Sequence, residues 1–250
     1  MPNDTDLGRP VDRFPTTHWS AVIGSSSPDA DERLRSFETL VTAYWKPVYK
    51  YVRVKWSKTS EDAADLTQEF FTRALEKEFF APFDPVKGRF RTFLRTCLDR
   101  FLANEHKSAK RLKRGGEAIL LSLDFDGAEG ELRGVDLPST ESPDRFFDTE
   151  WVRGLFELAV AALRDYCRLE GKEPHFRIFE RYDLQAESSD RPTYADLAKE
   201  LGLPVTQVTN HLAFARREFR RLLLAKLREI TVSDEEFRKE ARLLLGSEPD

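Results

Sequence analysis

Apolar residues recur at three- and four-residue spacing through most of this chain, and that period confines it to a helical fold. Leu34, Phe37, Leu40, Val41, Tyr44 and Val48 mark a long helix over residues 32–55. Pro47 sits inside it and is expected to kink or divide it, because proline has no amide to donate. Ala63, Leu66, Phe70 and Ala74 form one stripe of a shorter helix, begun by Thr59 with Asp62 as a capping pair. Phe90, Leu94, Cys97, Leu98 and Phe101 define a third over residues 89–114, which Gly115 and Gly116 end. Trp151, Leu155, Leu158, Ala162 and Leu163 continue a fourth to about residue 170. Phe176, Phe179 and Tyr182 repeat behind Pro174, and Ser233 with Glu236 caps a last helix carrying Phe237, Ala241 and Leu244. The expected fold is all-α, with two helical domains joined by an acidic linker.

Charge divides the chain further. Residues 89–114 hold nine Lys/Arg against two acids, residues 117–150 ten acids against two arginines, and residues 206–228 six Lys/Arg against Glu218. Two basic blocks around an acidic one suggest a polyanion gripped at two places. The acidic stretch contains Gly127, Gly130, Gly134, Pro138 and Pro143 and little period, so it reads as a linker. Residues 1–13 read as disordered. From Phe14 the sequence FPTTHWS opens a short helix through Ile23, with Trp19 as a packing anchor.

Several function classes drop out. No run approaches the apolar length of a membrane span, the start has no hydrophobic signal region, and Cys97 and Cys167 lie far apart, so a cytoplasmic location is expected. His18, His106, His175 and His211 are scattered, without Cys or carboxylate at metal-ligand spacing. Walker, GxGxxG and GxSxG patterns are absent. Neither enzyme, cofactor nor metal is expected.

Three surfaces remain. On the helix begun by Thr59, Asp62, Asp65 and Glu69 share a face, with Gln68 beside them. On the basic helix, Phe93 lies at the edge of the apolar stripe. Arg91, Arg95, Arg100, Lys107, Lys110 and Arg111 occupy other faces, and Arg89 stands at the start of the helix. A ring beside a basic face is the general form of a single-strand platform, where stacking contributes about 1–3 kcal/mol per base. Residues 194–212, YADLAKELGLPVTQVTNHL, have helix-turn-helix form: Ala198 at the crossing, Gly202 in the turn, Val208 and Leu212 buried. Thr206, Gln207, Thr209, Asn210, Arg216 and Arg217 would then face a major groove.

The string DAADLTQEFF, residues 62–71, resembles the DAEDLxQExF signature of bacterial sigma-70 factors, most closely the extracytoplasmic-function (ECF) type. FDPVKGRFRTFL, the order of segments and the terminal helix-turn-helix are similar to the same family, and HWS resembles the start of one subgroup. The resemblance implies a factor that binds core RNA polymerase and directs promoter-specific initiation. Asp62, Asp65, Gln68 and Glu69 would dock on the beta-prime clamp helices, although Ala64 stands where the family usually has glutamate. Arg89, Arg91, Phe93, Arg95, Arg100, Lys107, Lys110 and Arg111 would capture the −10 strand. The helix-turn-helix would bind the −35 element, though Thr209 and Phe214 replace basic residues common in relatives. The implied segments are a region 2-like domain over residues 14–116, a linker over 117–142, a region 4-like domain over 143–228 and a helical extension over 229–250. The linker either threads toward the polymerase cleft or is a solubilising tether. Thr59, Ser60 and Thr67, on or beside the docking face, are candidate phosphorylation positions, since a phosphate carries about −1.5 to −2 charges and would more than replace the missing glutamate. A Ser/Thr kinase or an anti-sigma factor is the candidate regulator. The alternatives are a helix-turn-helix regulator without polymerase docking and an interaction protein that sequesters polymerase.

Overall fold

Ala30–Lys55 is one unbroken helix, and the rest of the first core is built on it. The computed structural model describes residues 20–108, 123–133, 142–185 and 191–246; the expected disordered start, the Trp19 anchor and the Gly115–Gly116 stop fall outside them. In chain order the helices are α1 (Ala21–Gly24), α2 (Ala30–Lys55), α3 (Ser60–Glu76), α4 (Phe90–Ser108), α5 (Phe125–Arg133) and α6 (Pro143–Leu169). They continue with α7 (Glu173–Phe179), α8 (Tyr194–Leu201), α9 (Val205–Glu229) and α10 (Asp234–Leu245). A π-helical turn, Glu180–Leu184, extends α7. The described residues contain no strand, and the fold is all-α. None of their helices is long and apolar enough to cross a membrane.

Pro47 does not divide α2. It is buried, as are Tyr44, Val48 and Tyr51 of the same helix, and burial of this stretch in the core offsets the missing amide bond. Phe37, Leu40, Tyr44, Val48 and Val52 meet Ala63, Phe70, Phe71 and Ala74 of α3 and Phe90, Leu94 and Leu98 of α4. Each of the Phe, Leu and Val side chains among them contributes roughly 1.5–3 kcal/mol by leaving water. The loop between α3 and α4 belongs to this core as well, because Phe80 stacks on Phe37 with ring centroids 6.0 Å apart.

Two features depart from the sequence-based expectation. The acidic stretch is not featureless: α5 forms within it and packs on α2, where Phe125 meets Trp45 and Tyr49 at centroid distances of 5.4 and 5.2 Å. The first core also runs past residue 143. Phe147, Trp151, Leu155 and Ala159 of α6 join it, as do Leu223 and Leu227 of α9, Ile230, and Ala241 of α10. Farther along α6, Leu163 and Cys167 enter a second cluster with Phe176, Ile178, Leu197, Ala198, Val208, Leu212 and Ala215. The 27-residue α6 therefore spans both cores.

Charge reinforces the junction of α2, α5 and α6. Lys50 lies 2.6 Å from Glu150 and 2.7 Å from Glu131, while Lys46 lies 2.6 Å from both Glu131 and Glu157. Arg53 pairs with Glu129, which also accepts from the Tyr49 hydroxyl at 2.8 Å. The Arg53 guanidinium beside Glu129 holds that carboxyl down at about 2. Glu129 and Glu131 of α5 thus find their cations within the chain.

Candidate functional site

Thr59 caps α3, accepting from the Asp62 amide at 3.1 Å, and this fixes which face of the helix turns outward. Ala63, Thr67, Phe70, Phe71 and Ala74 face the core. Asp62, Asp65 and Gln68 are exposed, beside half-buried Ala64. Glu69 is half-buried and ion-paired to Arg73 at 2.5 Å; Arg73 in turn reaches Glu105 of α4 at 2.6 Å. The four expected docking residues thus share one rim, with Glu69 partly neutralised. Thr59 and Ser60 are exposed. Thr67 is not: it is fully buried, and its hydroxyl donates to the Ala63 carbonyl at 2.7 Å. Its expected place as a modification position is corrected, because no kinase reaches a closed side chain.

The basic helix differs from expectation in a more consequential way. Arg91, expected on an outer face, is buried at 6% exposure. It hydrogen-bonds Glu240 at 2.9 Å, lies 3.1 Å from Asp148, and covers the Trp151 ring at 4.6 Å. Arg89 is 3.2 Å from the same Glu240. Arg95 reaches Asp144 at 3.0 Å. Burial pushes the Glu240 carboxyl up while Arg91 and Arg89 pull it down. Glu236, one turn earlier on α10, accepts from the Phe90 amide at 3.1 Å and so caps α4 from outside. Its other oxygen accepts from Val232, completing the start of α10 that Ser233 opens. Phe93 is half-buried and tilted against Phe83 at 5.3 Å, while Arg100 is exposed. Lys110 and Arg111 lie outside the described residues, as does the side chain of Lys107.

Sequence reasoning missed the acids Asp144, Asp148, Glu236 and Glu240 as partners of this helix. One signal was present: Glu240 lies three residues after Phe237 and four before Leu244, within the apolar stripe of α10. A charge on a core-facing stripe needs a buried partner.

The second basic block lies on α9, which follows α8 after a short turn at Gly202. Thr193 and Asp196 make a reciprocal capping box at the start of α8. Gly202 turns the chain at φ 65°, which a side-chain-bearing residue adopts only with strain. Leu197, Ala198, Val208 and Leu212 bury the crossing. Thr206, Gln207 and Asn210 are exposed at the start of α9, and Thr209 donates its hydroxyl to the Thr206 carbonyl at 2.9 Å. Arg216 makes a bidentate pair with Asp183 at 2.7 and 2.8 Å and lies over Tyr182. Arg217 is exposed beside Phe214. The scattered histidines include one pair in space: the rings of His175 and His211 are 3.8 Å apart. Burial, with His211 and Lys172 nearby, pushes the His175 imidazole down. Among the described residues no group of three or more His, Cys, Asp and Glu could hold a metal ion.

Residues 40–112 match the family model of sigma-70 region 2. No curated protein and no solved structure matches the chain. The matched stretch takes in most of α2 and all of α3 and α4, the helices that carry the acidic rim and the clasped arginines. Over those residues the chain is similar to region 2 of the sigma-70 family of RNA polymerase sigma factors.

Proposed function

We propose that this chain is an ECF-type sigma factor acting in the cytoplasm. In this reading the rim of α3 docks on the beta-prime clamp helices of core polymerase, α4 captures the melted −10 strand, and the start of α9 reads the −35 element. The observation that carries the reading is the division of α3 within the matched region. Its core face is held by Ala63, Phe70 and Ala74, while Asp62, Asp65 and Gln68 project outward with Glu69 at the margin. An acidic rim of this kind suits a basic surface on a partner, where complementary charge sets both register and encounter rate. The exposed Thr206, Gln207 and Asn210 at the start of α9, ahead of Arg216 and Arg217, suit a duplex groove.

Asp65→Lys tests docking. Placing a like charge opposite basic clamp residues can cost several kcal/mol, so affinity for purified core polymerase should fall at least about a hundredfold with helicity unchanged. Undiminished binding would remove this rim from the interface. Thr59 and Ser60 keep the proposed control by a Ser/Thr kinase open to trial, since a phosphate there would sit at the start of α3 beside the residue that replaces the family's glutamate.

A further inference from the structure

The two basic surfaces are not equally available. The start of α9 is open, whereas Arg89, Arg91 and Arg95 on α4 are each held by carboxylates brought from residues 144–240. Glu240 grips Arg89 and Arg91 together, Asp148 stands against Arg91, and Asp144 takes Arg95. Glu236 occupies the first amide of α4. Four carboxylates thus lie along one edge of the helix, where a guanidinium or a helix N-terminus would otherwise meet phosphate. The same arginine fork cannot serve both anions. Arg91 is nearly closed off, with Glu240 on one side and the Trp151 ring on another.

We propose that α10 is an intramolecular latch that, together with Asp144 and Asp148 of α6, fills the strand-binding edge of α4 in the free protein. The latch must leave before α4 can hold a single strand. This rests on the reading of α4 as the −10 surface. The attachment is built to release. Ala241 is buried in the first core, with Phe237, Leu244 and Leu245 partly so. The remaining hold is ionic, and α10 is only 12 residues long, joined to α9 by a short turn. Asp144 and Asp148 keep 59% and 42% of their side-chain surface exposed, so an incoming phosphate can compete for Arg95 and Arg91 in steps. Glu240, at 3%, is the closing bolt. The latch accounts for two things together: a C-terminal helix with carboxylates on its core-facing side, and a basic helix whose arginines face inward.

The test uses the full-length chain and a fluorescein-labelled 20-nucleotide single-stranded DNA pool of random sequence, read by anisotropy across a salt series. Glu236→Gln with Glu240→Gln opens the latch from α10. Asp144→Asn with Asp148→Asn opens it from α6 by isosteric changes at an exposed and a half-buried position. Each pair should tighten binding about tenfold, and all four changes together should steepen the salt slope by about 2, the value for three arginines newly meeting phosphates. Arg95→Ala in the Asn pair should cancel that pair's gain. If parent and opened proteins bind equally tightly, α4 binds DNA without a latch and the proposal falls. If the opened proteins are folded by circular dichroism and none binds, α4 is not a strand-binding surface, and the reading beneath the latch falls with it.

Discussion

Replacing Glu150 by alanine should destabilise the protein more than any single change on its charged surface. The Lys50 side chain is 1% exposed and that of Glu150 3%, with 2.6 Å between nitrogen and oxygen. Removing one partner of a buried pair costs about 3–5 kcal/mol, because the other charge is left out of water. Glu131 stays 2.7 Å from Lys50 and is 32% exposed, which softens the loss toward about 3 kcal/mol. Arg153, the other partner of Glu150, is 41% exposed and simply rehydrates. Urea unfolding followed by circular dichroism reads the effect: with a slope of about 3 kcal/mol/M, the midpoint should fall by about 1 M. The double change Lys50→Met with Glu150→Leu should recover most of the loss, since an apolar pair of similar volume carries no desolvation penalty. A Glu150→Ala protein within about 1 kcal/mol of the parent would refute the reasoning, and α6 would not depend on this pair to sit on α2.

Three further outcomes follow from the geometry. Arg216→Ala should weaken binding of −35 duplex and reduce its salt slope by about 1, measured by anisotropy on double-stranded DNA; an unchanged slope would leave Arg216 to Asp183 alone. Glu129 has its carboxyl lowered from 4.5 to about 2 when folded. A depressed folded value means stability that is present above pH 4.5 and lost as pH falls through about 2, so the melting-temperature gap between parent and Glu129→Gln should close over that window. Ala64→Glu should tighten binding to core polymerase and remove any need for a phosphate at Thr59 or Ser60. If the unmodified parent already binds as tightly as this variant, the missing charge is irrelevant and the kinase switch is to be abandoned.

Local signals carried most of the fold. The period of α2, α3 and α4, the caps at Thr59, Thr193 and Ser233, and the turn at Gly202 are each written within a few residues of where they act. The α5 helix was not legible, because FDGAEGELR has two glycines and its nine residues are too few to hold a helix alone. Its stability comes from Phe125 against Trp45 and from Glu129 against Arg53. Thr67 looked like a surface hydroxyl because its own carbonyl partner, four residues back, is invisible to a polarity pattern. Arg91 looked solvated for a related reason: Glu240 lies 149 residues away, and charge counting cannot pair them. Along the acidic rim of α3, by contrast, the spacing of Asp62, Asp65 and Gln68 sufficed to place them on the exposed side, since one helix face is set by local geometry alone.

In the proposed function this chain turns core polymerase into a promoter-specific enzyme. Run-off transcription with the core polymerase of its host and a library of that host's promoter fragments measures it directly, with permanganate footprints on the same complexes. Discrete transcripts should appear only when the chain is added, each with reactive thymines in a melted stretch just upstream of the start. Binding to core polymerase with no transcript and no melting from any fragment would contradict the proposed function and make the chain a sequestering protein. Duplex binding without any association with polymerase would make it a helix-turn-helix regulator.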